Sequence, residues 1–152
     1  MKKKILFVNS SPNFNGNTAK LAHILLEGQQ YEIVNLVDYK IYAFGQNFND
    51  DEFDLVIDKL KKVDILVIGS PLYWHNINGM LRNFLDRCYG KVHATDFKGK
   101  DLYFVIQGAA PEKWQLDACE FTMNRFCALY GLNYQGRITD STEARNSNLK
   151  FK

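Results

Sequence analysis

The sequence predicts an α/β domain built on a doubly wound parallel sheet of five strands. Three observations lead there. Short, near-continuous apolar runs, clearest at Ile65-Leu66-Val67-Ile68, have the character of strands buried on both faces. Segments whose apolar residues recur at helical spacing lie between them. The two kinds alternate without repeats or linkers, as in sheets joined by right-handed helical crossovers.

The first strand is Ile5-Leu6-Phe7-Val8, and the helix after it carries Leu21, Ile24 and Leu25 on one face. Tyr31 to Val37 alternates and is rich in β-formers, so it is the second strand. Residues 38 to 48 read as a long loop. Asn49-Asp50-Asp51-Glu52 then reads as a helix start, with a cap candidate and acids suited to the positive end of a helix dipole. Phe53, Val56, Ile57 and Leu60 supply its apolar face. Asp64 to Gly69 is the third, central strand, and Ser70 to Ile77 the loop beyond it. Ile77, Met80, Leu81, Phe84, Leu85 and Cys88 are spaced as the next helix.

Lys100 to Gln107 is a fourth strand and Gly108-Ala109-Ala110-Pro111 a third loop. Pro111 with Glu112 suits the first turn of a helix that runs to about Tyr130, and Leu132 to Tyr134 is a weaker fifth strand. After it, Arg137 to Lys152 offers only Ile138, Ala144, Leu149 and Phe151 among many polar residues. The last helix is therefore expected to be missing. One face of the sheet would then need a second copy of the chain, or an irregular tail, to cover its apolar surface.

Composition bounds the rest. One domain spanning residues 1–152 accommodates 46% hydrophobic and 24% charged residues. A formal net charge of +2 is too small for a nucleic-acid surface, and the lysine runs at Lys2 to Lys4 and Lys59 to Lys62 read as solvated positions. The apolar run behind Lys4 stops at Val8, too soon for a secretory signal, and no run approaches the length of a membrane span. Cys88, Cys119 and Cys127 are odd in number and lack C-x-x-C spacing. These features predict a cytoplasmic protein with neither a membrane nor a nucleic-acid partner. His23, His75 and His93 are too scattered to suggest a metal site.

The most informative stretch is Ser10-Ser11-Pro12-Asn13-Phe14-Asn15-Gly16-Asn17-Thr18, which joins the first strand to the first helix. A loop of hydroxyls and amides that ends at a helix N-terminus offers unpaired N–H groups and a positive dipole end to an anion, with phosphate the natural guest. Its single glycine, Gly16, excludes both the Walker A loop and the three-glycine dinucleotide fingerprint. An ordinary surface turn has the same composition. Position favours the phosphate reading: with strand order 2-1-3-4-5, the loops after the first, third and fourth strands converge at the carboxyl edge, where such sheets bind ligands.

The second of these loops, Ser70-Pro71-Leu72-Tyr73-Trp74-His75-Asn76-Ile77, sets two adjacent aromatics beside that crevice. They either roof the core or border a flat ring system. A phosphate site and an aromatic platform across one crevice together describe flavin mononucleotide, FMN.

With these residues in view, the chain resembles the NAD(P)H-dependent FMN reductases and quinone reductases of the flavodoxin-like superfamily. The resemblance rests on Ser10-Ser11-Pro12 with Gly16-Asn17-Thr18, on Ser70-Pro71-Leu72-Tyr73-Trp74, and on Gly79, Leu81, Phe84, Asp86 and Arg87. It runs from Ile5 to about Gly136. It implies that Ser10, Pro12, Asn15, Gly16, Asn17 and Thr18 surround the FMN phosphate and that Pro71, Leu72, Tyr73 and Trp74 lie along the isoalloxazine. Gln107 and Gly108 would meet the pyrimidine side of the ring. The redox chemistry would reside in FMN, with NADH or NADPH as donor, a quinone, flavin or similar small molecule as acceptor, and a homodimer as the working form. Asn13 stands where the family often has arginine, and residues 38–48 lack the cysteines of its iron-sulfur branch, so no cluster is expected.

Three other readings compete with these. Cys119 and Arg125 have the C-x5-R spacing of a tyrosine phosphatase, but inside a helix six steps place side chains roughly 120° and about 9 Å apart. A flavodoxin-type one-electron carrier fits the fold, although such carriers are generally acidic. His75, the only histidine near the crevice, either gives a proton to a reduced quinone or simply orients its loop.

Overall fold

A computed structural model describes residues 1–152. Five parallel strands and five helices alternate: β1 (Ile5–Asn9), α1 (Asn17–Leu25), β2 (Glu32–Asn35), α2 (Phe53–Lys61), β3 (Ile65–Tyr73), α3 (Gly79–Cys88), β5 (Asp101–Gln107), α4 (Lys113–Tyr130), β6 (Asn133–Ile138) and α5 (Ser141–Asn148). A sixth, two-residue strand, β4 (Asn76–Ile77), is antiparallel to β3. The main sheet has the order β2-β1-β3-β5-β6, which is the expected 2-1-3-4-5 winding.

Alternate residues of each strand feed two cores, because successive side chains point to opposite faces. Leu6, Val8, Leu66, Ile68, Leu102, Phe104 and Ile106 face α2, α3 and α4, and pack on Phe53, Phe84 and Met123 among others. Ile5, Phe7, Ile65, Val67, Tyr103 and Val105 face α1, where Ala19, Ala22 and Leu25 meet them. The central strands are thus apolar on both sides, as their unbroken runs required.

Three expectations are corrected. The final helix is present: α5 packs on α1, burying Ala144 against the second core. Its grip is largely polar, since Asn148 donates to the carbonyls of Leu25 (2.8 Å) and Glu27 (3.0 Å) at the end of α1. Phe151 completes the cover by lying against Tyr103, with ring centroids 5.2 Å apart. Tyr103, Val67 and Val105 are buried, so the argument for a partner from an open sheet face falls.

The segment Ser70 to Ile77 is no simple loop. β3 continues through Tyr73, and Leu72 and Tyr73 pair with Ile77 and Asn76 in a tight hairpin. Trp74 and His75 form its tip with φ of 46° and 66°, the left-handed pair that a two-residue turn requires. Finally, α2 starts at Phe53, with only Asp54 as an acid in its first turn. Asp50 serves the loop before it, accepting from Tyr42 and Lys40, while Asp51 serves both, accepting from the Phe53 N–H at the start of α2 (2.9 Å) and from the Arg87 guanidinium.

Candidate functional site

Asn9, the last residue of β1, organises the first loop from within the protein. Fully buried, it accepts from the Ser11 N–H (3.1 Å) and donates to Asn35 (3.0 Å) and to the Asn13 carbonyl (3.3 Å). Ser10 is equally buried, and its hydroxyl donates to the Gly69 carbonyl at 2.7 Å, tying the loop to β3. Ser11, one step further, accepts from the Asn13 N–H at 3.1 Å, which leaves its own O–H proton without a partner in the chain. Of the two serines, geometry thus turns Ser10 inward and leaves Ser11 with a free donor.

Beyond the serines the loop becomes a cradle. Pro12, Asn15 and Asn17 are exposed and Gly16 half-buried. No side chain caps α1, and the N–H groups of Asn17, Thr18 and Ala19 donate to nothing within the chain. Thr18 is only 2% exposed, and its hydroxyl, which makes no hydrogen bond within the chain, keeps its contact with solvent, because no buried side-chain polar atom is left without a partner. This concentration of donors at a helix N-terminus, with no carboxylate in residues 10–18, is suited to an anion.

Gly69 explains how α1 comes so close. A Cβ there would stand 2.8 Å from Thr18 Cγ2 and 3.0 Å from the Phe7 ring, so only glycine lets the helix start seat itself over β3. Asn78 then joins the first and second loops. It donates to the Ser10 carbonyl at 2.7 Å and caps α3 by accepting from the Leu81 N–H at 3.1 Å, while its own N–H donates to Ser70. Its signal in the sequence is that of an N-cap asparagine before a helix.

Across the edge, Pro71 is buried, Leu72 half-buried and Tyr73 exposed, and Trp74 stands 94% exposed at the hairpin tip. A large aromatic held in the open on left-handed backbone has no packing reason to be there. Gln107 pairs in register with Pro71, and a Cβ on Gly108 would lie 3.1 Å from the Leu72 Cβ, so the third loop presses directly on the second. The structure therefore brings Ser10, Pro12, Asn15, Gly16, Asn17 and Thr18, Pro71, Leu72, Tyr73 and Trp74, and Gln107 and Gly108 to one edge of the sheet. His75 ties the hairpin to the start of α4 through a 2.6 Å hydrogen bond between its Nδ1 and Gln115 Nε2.

The cysteines are unreactive, and only Cys119, whose thiol donates to Asn76 of the hairpin, lies near this edge. Burial pushes the thiols of Cys88 and Cys127 up to about 12 and that of Cys119 up to about 11. Cys119 is buried within α4 whereas Arg125 is exposed, which removes the phosphatase arrangement. No three His, Cys, Asp or Glu side chains gather closely enough to hold a metal ion.

A doubly wound flavodoxin-like sheet with a donor-lined first loop and an aromatic hairpin at its carboxyl edge defines a class of nucleotide-binding α/β domains. Within that class, the chain belongs to the NADPH-dependent FMN reductase family, which it matches over residues 3–131. An iron-sulfur flavoprotein of Archaeoglobus fulgidus is 33% identical over 97 residues, 55% of this chain and 48% of that protein. A Bacillus subtilis protein described as a putative NAD(P)H-dependent FMN-containing oxidoreductase is 29% identical over 92 residues, 55% of this chain and 51% of the other. The chain spans about half the length of these curated relatives. Among solved structures, the Trp repressor binding protein of Bacillus subtilis superposes with a TM-score of 0.74 at 19% identity, covering 97% of this chain and 96% of that one. At such identity the superposition shows the shared fold.

Proposed function

We propose that the chain binds FMN at the carboxyl edge of its sheet and works as an NAD(P)H-dependent oxidoreductase, with a quinone, a free flavin or a similar small molecule as acceptor. One observation carries the reading: the unpaired donors of Thr18 and of the α1 N-terminus, collected in a loop that contains no acid. Pro12, Asn15, Gly16, Asn17 and Thr18 surround the phosphate, with Ser11 added to the set by its free O–H, whereas Ser10, expected there, is buried with its N–H and hydroxyl both donating to the Gly69 carbonyl and so holds the loop from within. With Asn13 in place of a cation, neutral N–H and O–H donors and the helix dipole must hold the dianion.

When bound, FMN supplies the redox chemistry, taking a hydride from NADH or NADPH and passing the electrons to the acceptor. The chain binds and orients it. Pro71, Leu72, Tyr73 and Trp74 flank the isoalloxazine, and Gln107 and Gly108 meet its pyrimidine side. The Ser10, Asn78 and Ser70 bonds hold the first two loops in register, so that little reorganisation accompanies binding.

Two further features belong to this reading. Three free, buried cysteines suit a reducing cytoplasm, and no helix is long and apolar enough to cross a membrane. With α5 roofing the sheet, support for a homodimer moves to an apolar groove of about 410 Å³ between α3 and α4, lined by Phe44, Leu85, Tyr89, Phe126 and Leu129. The test of the central reading is a comparison of FMN, FAD and riboflavin by quenching of flavin fluorescence. FMN should bind tightest; equal affinity for riboflavin and FMN would remove the phosphate cradle.

A further inference from the structure

We propose that His75 is held as its neutral Nε2–H tautomer and offers that N–H to a neutral carbonyl oxygen of the electron acceptor. The proposal rests on the function argued above and extends it to the acceptor. It begins at the start of α4. There Glu112 and Gln115 form a capping box, in which Gln115 Oε1 accepts from the Glu112 N–H at 2.9 Å. That bond fixes the amide, so the group facing His75 Nδ1 at 2.6 Å is the Gln115 NH2, a donor only.

A donor aimed at Nδ1 requires a lone pair there, which places the ring proton on Nε2. Protonation of Nδ1 would set two donors face to face. Rotating the amide to relieve them would break the cap of α4.

The ring is restrained from three sides. Its backbone occupies a left-handed position of the hairpin turn, Gln115 holds Nδ1, and Trp114 lies against it with centroids 5.5 Å apart at 33°. Nε2 has no partner in the chain, and His75 is exposed beside Trp74 at the crevice. A mere tie between the second and third loops needs an acceptor for Gln115 and nothing more. The tautomer provides in addition one oriented, uncharged N–H, which complements a neutral carbonyl oxygen better than a charged acceptor.

The test combines a structural and a kinetic measurement. In the FMN-free chain at pH 8, 15N correlation spectra of the three imidazoles, with His75 assigned by its loss in His75→Ala, should show a protonated Nε2 and a bare Nδ1 for that ring. In the FMN-loaded chain reduced by NAD(P)H, His75→Ala should slow reoxidation by a benzoquinone roughly three- to tenfold, the span of one neutral hydrogen bond. Its reoxidation by ferricyanide, which accepts no such hydrogen bond, should not slow with it. An Nδ1–H tautomer, an equal mixture, or a quinone rate indifferent to His75→Ala would overturn the proposal. Failure of the unsubstituted chain to bind FMN, or to be reduced by NAD(P)H, would instead overturn the function on which it rests.

Discussion

Thr18 concentrates the account in one side chain. Its methyl packs against Gly69 while its hydroxyl, in contact with solvent, makes no hydrogen bond within the chain. Thr18→Val keeps the packing and removes the hydroxyl. It should weaken FMN by about tenfold or more, since a hydrogen bond to a charged group contributes roughly 1.5–3 kcal/mol, and should leave riboflavin affinity unchanged in the same fluorescence titration. Gly69→Ala tests the other half of the contact. Its Cβ would press on Thr18 and Phe7 at 2.8 and 3.0 Å, so urea denaturation should show a loss of about 1–3 kcal/mol from overpacking. At this scale the sequence was partly legible. Residue types marked the cradle, but nothing in Ser10-Ser11 tells which hydroxyl turns inward, because the Gly69 carbonyl that takes the first one comes from a strand 59 positions away.

Between residue and domain, the segment from Tyr39 to Glu52 shows how charge replaces packing. Arg87 of α3 grips Asp51 with two bonds of 2.6 and 2.9 Å, donates to the Tyr42 carbonyl at 2.8 Å, and lies over the Phe53 ring at 4.8 Å. Both side chains are largely buried, so Arg87→Leu, which strands Asp51, should cost about 2–4 kcal/mol in chemical denaturation. The guanidinium holds the Asp51 carboxyl well below the usual carboxylate range. A folded-state value below the unfolded one stabilises the protein above the unfolded value, and that contribution is lost as pH falls below about 4. The stability gap between the unsubstituted chain and Asp51→Asn should therefore be full at pH 7 and shrink from pH 4 to pH 2.5. A gap that is constant with pH would contradict the pairing. Asn49 to Glu52 reads as a helix start because acids favour first turns. Asp51 does accept from the Phe53 N–H at the start of α2, but Tyr42, Lys40 and Arg87, all remote in sequence from a helix-cap pattern, claim the rest of these carboxylates. The hairpin escaped for a related reason: Trp74 and His75 are neither glycine nor asparagine, the residues that usually announce such a turn.

For the whole molecule, the layered architecture was legible because strands buried on both faces must be apolar throughout, and Ile65 to Ile68 could hardly be anything else. The last layer was not. α5 buries a single alanine and anchors itself through Asn148, so it has almost no apolar face by which to announce itself. Phe151→Ala should uncover Tyr103 and lower stability by about 1–2 kcal/mol, as expected for a partly buried aromatic, without changing FMN affinity. Light scattering across a dilution series decides the oligomeric state, and substitution of Leu129 by glutamate should dissociate a dimer that uses the α3–α4 groove. The most direct test of the central claim is anaerobic mixing of the FMN-loaded chain with NADH and, separately, NADPH, followed by flavin absorbance. At least one nucleotide should bleach the flavin with one equivalent per FMN, and a quinone should restore the colour. If neither bleaches it while a protein reductase does, the chain is an electron carrier and the oxidoreductase reading is wrong.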